Sequence, residues 1–528
     1  MPIASQERHE RIDLPPGQVL IVTADAQSSG IIRRKSDTLG VQLIGANTKA
    51  IAPSSQIMIG PFPKLRHYNI EVSAGTLTYI VDYPDFANNQ FELYPAGNPL
   101  ALVGLDASNM PISVTASRLT LLPRNRGIFI LGDSRDFQCS TIISPEYSKL
   151  AQGWIGFLQF LANQRFDFDI NDNYGVSGNT TADMLARTPA MLAAVAAGSQ
   201  AGTLMVLGGT NDRGAGISYA QSVANLTAIR DLALAAGKIV IFFNELPRGD
   251  AGNTGNRLTA TQLRDHLRLR QWFVEQRSIP GVYVVDMWAQ TADPTSATGD
   301  VLSALFKDAL HENPTGAYYM AVQALPLIQQ LFAPIDLLPY TTADKYDATN
   351  FPTGCLNDNP MMNGTAGTIN GTGGSGSLAD SYSENAGPTW TRAYSKVTSN
   401  GKAFQQIVLG GTGTTGGCAM RQVITAGNLA IGDKVYAVAD VEIDANAANI
   451  SQLALQLLDN NTVTAGDFRR ALSTEAFPNV GAIKGVMRTP IYTLTSTTLQ
   501  LQFEMKVLVA AVAATVRVGR IAVRKYGV

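Results

Sequence analysis

Charge is scarce in this 528-residue chain. Asp, Glu, Lys and Arg make up 16% of it, against roughly 25% in an ordinary soluble protein. The net charge is −2, so there is no basic field to attract nucleic acid. Cysteine is scarcer still. Cys139, Cys355 and Cys418 are scattered, with no C-x-x-C and no metal-ligand spacing. That excludes a disulfide framework and a cysteine metal site. The three read as free buried thiols, with a Cys355–Cys418 bridge as the alternative. No basic-then-apolar leader opens "MPIASQERHERIDLPPG", so no signal peptide is read there. No membrane span is expected either. The most apolar late stretch, "VLVAAVAATVRVGRIAV", is broken by Arg517 and Arg520 and alternates toward its end, as a strand does.

What is present is length and small polar residues. A chain this long predicts two to four domains. Gly, Ala, Ser, Thr and Asn take the place of charge on the surface, a composition that goes with extracellular or virion-borne β proteins.

Three textures follow one another. Up to residue 122 the chain reads as an all-β domain: "GQVLIVTAD", "VQLIGA", "IEVSAGTLTYIVDY" and "ALVGL" are short β-branched runs parted by Gly, Pro, Asn and Asp. From 123 to 335, apolar strand-like runs alternate with helical ones. "GIFILGDS" precedes a helix expected from about Pro145 to Asn163. "RFDFDINDNYG", "TLMVLGGTND", "KIVIFFNELP" and "GVYVVDMW" each precede a further helical stretch. Five buried strands alternating with five helices predict a five-stranded parallel sheet covered on both faces. Ligands in such folds sit beyond the carboxyl ends of the strands. From 336 to 528 the β texture returns after "NGTAGTINGTGGSGS", with alternating runs such as "KVYAVADVEID" and "TLQLQFEMKV". A β-sandwich is the simplest architecture.

Four short stretches lie at successive strand ends or in the final loop of the middle region: "GDS" (Gly132–Ser134), "GVSGNT" (Gly175–Thr180), "GGTND" (Gly208–Asp212) and "DALH" (Asp308–His311). Each alone is an ordinary turn sequence. Together and in this order they resemble the SGNH/GDSL hydrolase family of esterases and lipases. The resemblance covers about two hundred residues and neither flank. It implies a flavodoxin-like three-layer α/β/α domain, with the oxyanion held by the Gly178 amide, the Ser134 amide and the Asn211 side chain.

The residues support an ester-cleaving chemistry on their own terms. A serine hydroxyl needs a base, an orienter for that base, and donors aimed at the developing oxyanion. Only four histidines exist. His9 lies in a polar amino-terminal arm, His67 in the first β region, and His266 in a charged helical stretch where it is expected to be solvated. His311 alone sits in a loop just before a helix, with Asn313 as N-cap and Pro314 as first residue. Asp308, three residues earlier, can accept the Nδ1 proton and leave Nε2 for Ser134. Gly178 precedes a helix whose Thr180 and Asp183 have capping-box spacing. Asp133 and Asp212 read as loop braces. Phe137, Trp154, Tyr174 and Trp288 are candidates to line the site, each also suited to a core. "DINDNYG" and "GGTGTTGG" lack the spacing of a calcium loop and of a phosphate loop.

The expected function is therefore a serine esterase, needing no metal or cofactor, that removes acyl groups, foremost acetyl, from a carbohydrate or bacterial polysaccharide. The last region resembles the β-sandwich modules found beside carbohydrate-active enzymes. The whole layout is similar to bacteriophage tail spikes and fibres, which implies a virion or extracellular location and a homotrimer. A non-catalytic adhesin with a vestigial hydrolase domain, and a lipase or thioesterase, are the alternatives.

Overall fold

The computed structural model describes residues 2–4, 9–14, 19–24, 27, 29–35, 48–54, 56–59, 66–74, 76–82, 100–101, 103–105, 111–113, 125–143, 146–150, 153–249, 257–308, 310–385, 390–399, 401–414, 416–471 and 475–527. The run "VQLIGA" lies outside them. The chain forms two compact units, Met1–Asn125 with Glu275–Tyr283, and Arg126–Val274 with Val284–Val528.

The amino-terminal part of the first unit is built of strands, as its sequence predicts. One sheet orders the strands Pro2–Ala4, Thr76–Asp82, Val19–Ala24, Gln56–Ile59 and Leu100–Ala101; another orders His9–Leu14, Arg66–Ala74, Ser29–Lys35 and Thr48–Ile51. His9 is thus in a strand, paired with Glu71, and not in a free arm.

The second unit contains most of the central sheet. Its strands are β1 (Ile128–Gly132), β2 (Asn173–Gly175), β3 (Thr203–Leu207), β4 (Ile239–Phe243) and β5 (Val282–Val285), in the order β2-β1-β3-β4-β5. β1 runs parallel to β2 and β3, and β3 parallel to β4. β1, β3 and β4 are buried at every residue, which is why their sequences are unbroken apolar runs. Around the sheet lie α1 (Ser134–Phe137), α2 (Trp154–Leu161), α3 (Thr181–Ala197), α4 (Thr210–Gly214), α5 (Tyr219–Ala235), α6 (Ala260–Glu275), α7 (Trp288–Thr291) and α8 (Pro314–Leu331). α2 packs on α8, and α3 on α5. This strand order is the doubly wound, flavodoxin-like one, whose switch point lies between β1 and β3.

Two expectations are corrected. The helix expected from Pro145 starts only at Trp154. Before it, Ser140–Ile143 and Glu146–Leu150 form an antiparallel hairpin, and the second strand of that hairpin pairs in parallel with Thr462–Arg470. β-branched Thr141, Ile142 and Ile143 favour the strand. A neighbouring sheet edge supplies the remaining hydrogen bonds. His266 is buried, not solvated, and its Nε2 lies 2.8 Å from the Leu246 carbonyl. The charged stretch around it conceals a spacing that puts His266, Leu269 and Phe273 on the inward face of α6. Burial pushes its imidazole down to about 3, so it is neutral.

The last region is two sheets. One orders the hairpin strands, then Thr462–Arg470, Ile450–Asp459, Leu499–Val507, Gly417–Val423 and Ser383–Asn385. The other orders Gly374–Gly376, Thr391–Ser399, Lys402–Thr412, Ala511–Lys525, Lys434–Ile443 and Ile483–Arg488. Alternating burial along Ala511–Lys525 is the pattern of a half-covered strand. The stretch read as strand and not membrane span is this strand with its predecessor. Among the described residues no helix is long and apolar enough to cross a membrane. The three cysteines are free and buried.

The β region also covers α2. Phe157 meets Phe477 edge-on at 6.2 Å, and the Arg469 guanidinium donates to the Gly156 carbonyl. Gln164 Nε2 donates to the Val486 carbonyl at 2.5 Å. A fragment 123–335 therefore lacks the cover of an apolar helix and the partner of an edge strand. It is expected to be insoluble, or to melt well below the full chain in a thermal scan. A soluble fragment with the full-chain midpoint would contradict this packing.

Candidate active site

The site is built where β1 and β2 end. Gly132 and Gly175 are register partners, and α1 begins two residues after Gly132, lying across both strand ends. A Cβ at 132 would fall 1.6 Å from Asp136 Oδ2, and one at 175 would fall 2.3 Å from the Phe137 nitrogen. Glycine at both positions is thus a condition of the close approach. It is what the first letter of "GDS" encodes.

Asp133 is the N-cap of α1, and its carboxylate accepts from the Arg135 amide at 3.0 Å. The buried Arg135 guanidinium grips the same carboxylate with two bonds (3.0 and 2.7 Å) and donates to Glu245, just past β4, at 3.1 Å. A paired, fully enclosed charge network of this kind fixes geometry more than it adds net stability. The turn that carries Ser134 is thereby tied to the end of β4. Asp136 faces the other way: Trp154 Nε1 donates to it at 3.0 Å. Burial and the neighbouring Asp133 push its carboxyl well above the usual range.

Ser134, at the first position of α1, is partly exposed. Its Oγ lies 2.8 Å from His311 Nε2. His311 Nδ1 lies 3.0 Å from Asp308 Oδ2, while Asp308 Oδ1 accepts from the Leu310 and His311 amides, each at 2.7 Å. Burial pushes the Asp308 carboxyl up, but these hydrogen bonds outweigh it and hold the group below the usual carboxylate range. With an ionised carboxylate at Nδ1, that nitrogen carries the proton and Nε2 accepts from the serine. The loop is pinned on both sides. Lys307 N donates to the His311 carbonyl at 2.8 Å, Asn313 N to the Leu305 carbonyl at 3.0 Å, and the Asn313 side chain caps α8.

The expected oxyanion donors gather at the same edge. Gly178 has a φ of +78° and nothing within 4 Å on its Cβ side, so its backbone is open to a ligand. Just after it, Thr180 and Asp183 form the capping box of α3. Asn211 Nδ2 donates to the Asn179 carbonyl at 2.9 Å, which uses one of its two protons. The structure thus brings Ser134, His311 and Asp308 into one hydrogen-bonded line, and Gly178 and Asn211 together through Asn179. Asp212 accepts from the Thr181 amide and hydroxyl at 2.8 and 2.6 Å, tying α4 to the start of α3.

Sequence reading missed Arg187. From α3 its guanidinium donates to the carbonyls of Gly132 (2.8 Å) and Tyr174 and to the Asn179 side chain (2.9 Å). One cation therefore holds the end of β1, the end of β2 and the Gly178 loop. An arginine on a helix face gives no signal of this in a single sequence. Glu312 was missed too. It follows His311, is fully buried, and burial pushes its carboxyl up to about 7.

Of the aromatic candidates, Trp154 is wholly buried while Phe137, one turn beyond Ser134, is 57% exposed. Tyr174 and Trp288 are half-buried. Among the described residues no three His, Cys, Asp or Glu side chains converge as metal ligands.

The fold is of the three-layer α/β/α class, with polar side chains gathered at the carboxyl ends of its strands. Residues 131–318 match the sequence model of the GDSL-like lipase/acylhydrolase family, so the central part of the chain is a GDSL-like acylhydrolase domain. Solved structures similar to it include an acetylxylan esterase of Geobacillus stearothermophilus, crystallised as a catalytic mutant. It is 18% identical over 38% of this chain and 94% of that one, with a TM-score of 0.28. Another is a GDSL-like lipase of Bacteroides thetaiotaomicron, 17% identical over 39% and 88%, with a TM-score of 0.29. A search of curated proteins returns no match.

Two outcomes follow from the positions of Arg187 and Glu312. Arg187→Met is expected to lower kcat for ester hydrolysis by about 10²-fold through misplacement of the strand ends, with the circular dichroism spectrum unchanged; full activity would contradict the tie. The raised pKa of Glu312 means that the folded chain holds more protons than the unfolded between about pH 4 and pH 7, so stability falls as pH rises through that window. Glu312→Gln should therefore melt higher than wild type at pH 8 and nearly equal to it at pH 4.5. Equal midpoints at both values would contradict the assignment.

Proposed function

We propose that the chain is a serine esterase that removes acyl groups, foremost acetyl, from a carbohydrate. The observation that carries the reading is the unbroken hydrogen-bonded line from Ser134 Oγ through the His311 imidazole to the Asp308 carboxylate. In the proposed reaction Ser134 Oγ attacks the ester carbonyl and His311 Nε2 takes its proton. The carbonyl electron pair moves onto oxygen, where the Ser134 and Gly178 amides and the Asn211 side chain receive it. Collapse expels the sugar alkoxide, which takes the proton from Nε2. Water then attacks the acyl-serine by the same route and releases the carboxylic acid. Asp308 stays ionised and steadies the imidazolium.

Support for a carbohydrate comes from Phe137. Its exposed ring lies one turn past the nucleophile, where a flat apolar face can meet the C–H face of a sugar. The open Gly178 loop and the partly exposed Ser134 suit a short acyl group on a bulky alcohol.

The deciding experiment measures acetate released from p-nitrophenyl acetate and from acetylated polysaccharides. Ser134→Ala should lower the rate by about 10⁴-fold or more, and Asn211→Ala by roughly 10²–10³-fold. Phe137→Ala should raise KM for the acetylated polysaccharide more than for p-nitrophenyl acetate. In an acyl-length series acetyl should be the preferred group. Equal rates from wild type and Ser134→Ala would overturn the reading; preference for long acyl chains would replace the carbohydrate with a lipid.

A further inference from the structure

Large apolar side chains exposed to water mark interaction surfaces when they cluster. Among the described residues four aromatic side chains are exposed: Phe137, Tyr340, Phe351 and Tyr526. Phe137 belongs to the site above. The other three line a single hollow of about 410 Å³ in the carboxyl-terminal β region, with Tyr436, Asp344 and Arg524.

The chain builds this hollow deliberately. After α8 the connector presses Leu337 and Leu338 against a core of Cys355, Val438 and Ala522. The turn that follows is held by the Asp344 carboxylate, which accepts from the Tyr340 amide at 3.0 Å, and it leaves the Tyr340 ring 66% exposed. Residues 356 and 357 then pair with the last strand: Leu356 N donates to the Val523 carbonyl at 2.8 Å, and Val523 N donates to the Asn357 side chain at 2.9 Å. From the end of that strand Tyr526 projects edge-on to Tyr436, with ring centroids 6.5 Å apart and planes at 80°. Arg524 on the same strand donates to the Thr353 carbonyl at 2.6 Å and pairs with Asp344 at 3.5 Å. Lys525 also lines a second hollow of about 350 Å³ with Tyr346 and Asp347, so the two adjoin.

Aromatic faces beside a fixed carboxylate and a fixed guanidinium are the two chemistries a sugar ring needs. Its C–H face packs on aromatic carbon. Its hydroxyls donate to the carboxylate and accept from the guanidinium in charge-assisted hydrogen bonds. Two adjoining hollows suit more than one ring. We propose that this groove is a carbohydrate-binding site, separate from the esterase centre, that holds a polysaccharide chain. Binding itself does not depend on the esterase reading; the identity of the polymer as that enzyme's substrate does rest on it.

The test uses the full chain carrying Ser134→Ala, so that bound polymer is not altered. The probe is a microarray of bacterial capsular polysaccharides, O-antigens and acetylated xylans, followed by biolayer interferometry on whatever binds. The groove predicts retention of at least one array polysaccharide, and a loss of affinity of about tenfold or more in Tyr340→Ala/Tyr526→Ala. Tyr340→Phe/Tyr526→Phe keeps both rings and should bind within about twofold of the parent. Thermal melts of all variants show whether loss reflects unfolding; should the alanine pair melt early, the single Phe351→Ala variant reads the same loss. No binding to any array polysaccharide, or binding that survives removal of the rings, overturns the proposal. Hydrolysis of p-nitrophenyl acetate by the wild-type preparation is read in parallel, so that failure of the groove and failure of the esterase are distinguished.

Discussion

The hydrogen bond between Ser134 and His311 joins residues 177 positions apart, and the rest of the structure serves to make that meeting unavoidable. Ser134 is held by a turn that only glycine at 132 and 175 permits. His311 is held by a loop whose backbone is bonded at Leu305 and Lys307 and closed by the Asn313 cap. Between them lies a sheet order that puts the ends of β1 and β3 side by side at the switch point. Fixing these groups before any substrate arrives removes the reorganisation that would otherwise precede reaction.

Around this meeting point charged side chains act as fasteners. Arg135 ties Asp133 to Glu245, Arg187 ties two strand ends to the Gly178 loop, and Asp212 ties α4 to α3. Ions as deeply enclosed as Asp133, Arg135, Asp212 and Glu245 are costly to desolvate and tolerable only because each meets several partners. A chain with so little charge places several of its charged residues around one turn. That is reason to read the network as positioning and not as general stabilisation.

Much of this was legible in the sequence, and the reasons are physical. β1, β3 and β4 are buried at every residue, so they appear as unbroken apolar runs, and each is followed by glycine or a polar residue where the chain leaves the sheet. Asn313-Pro314 marks the start of α8, and with it the loop that holds His311. What stayed hidden depends on partners distant in sequence. Glu146–Leu150 is a strand because Thr462–Arg470 lies beside it; its own residues leave helix and strand in balance. His266 is surrounded by arginines in sequence but faces inward. Arg187 finds three acceptors on three different segments, the end of β1 among them 55 positions away along the chain. The groove of Tyr340, Phe351 and Tyr526 likewise draws its rings from a connector and a terminal strand that meet only in the fold.

The central claim is that Ser134 is an activated nucleophile because His311 is bonded to it. The most direct measurement is phosphonylation by a fluorophosphonate, followed by intact-mass and peptide mass spectrometry. A single adduct on the peptide containing Ser134, formed rapidly in the wild type and slowed by orders of magnitude in His311→Ala, is the predicted result. No adduct, an adduct on another residue, or equal labelling rates with and without the imidazole would contradict it.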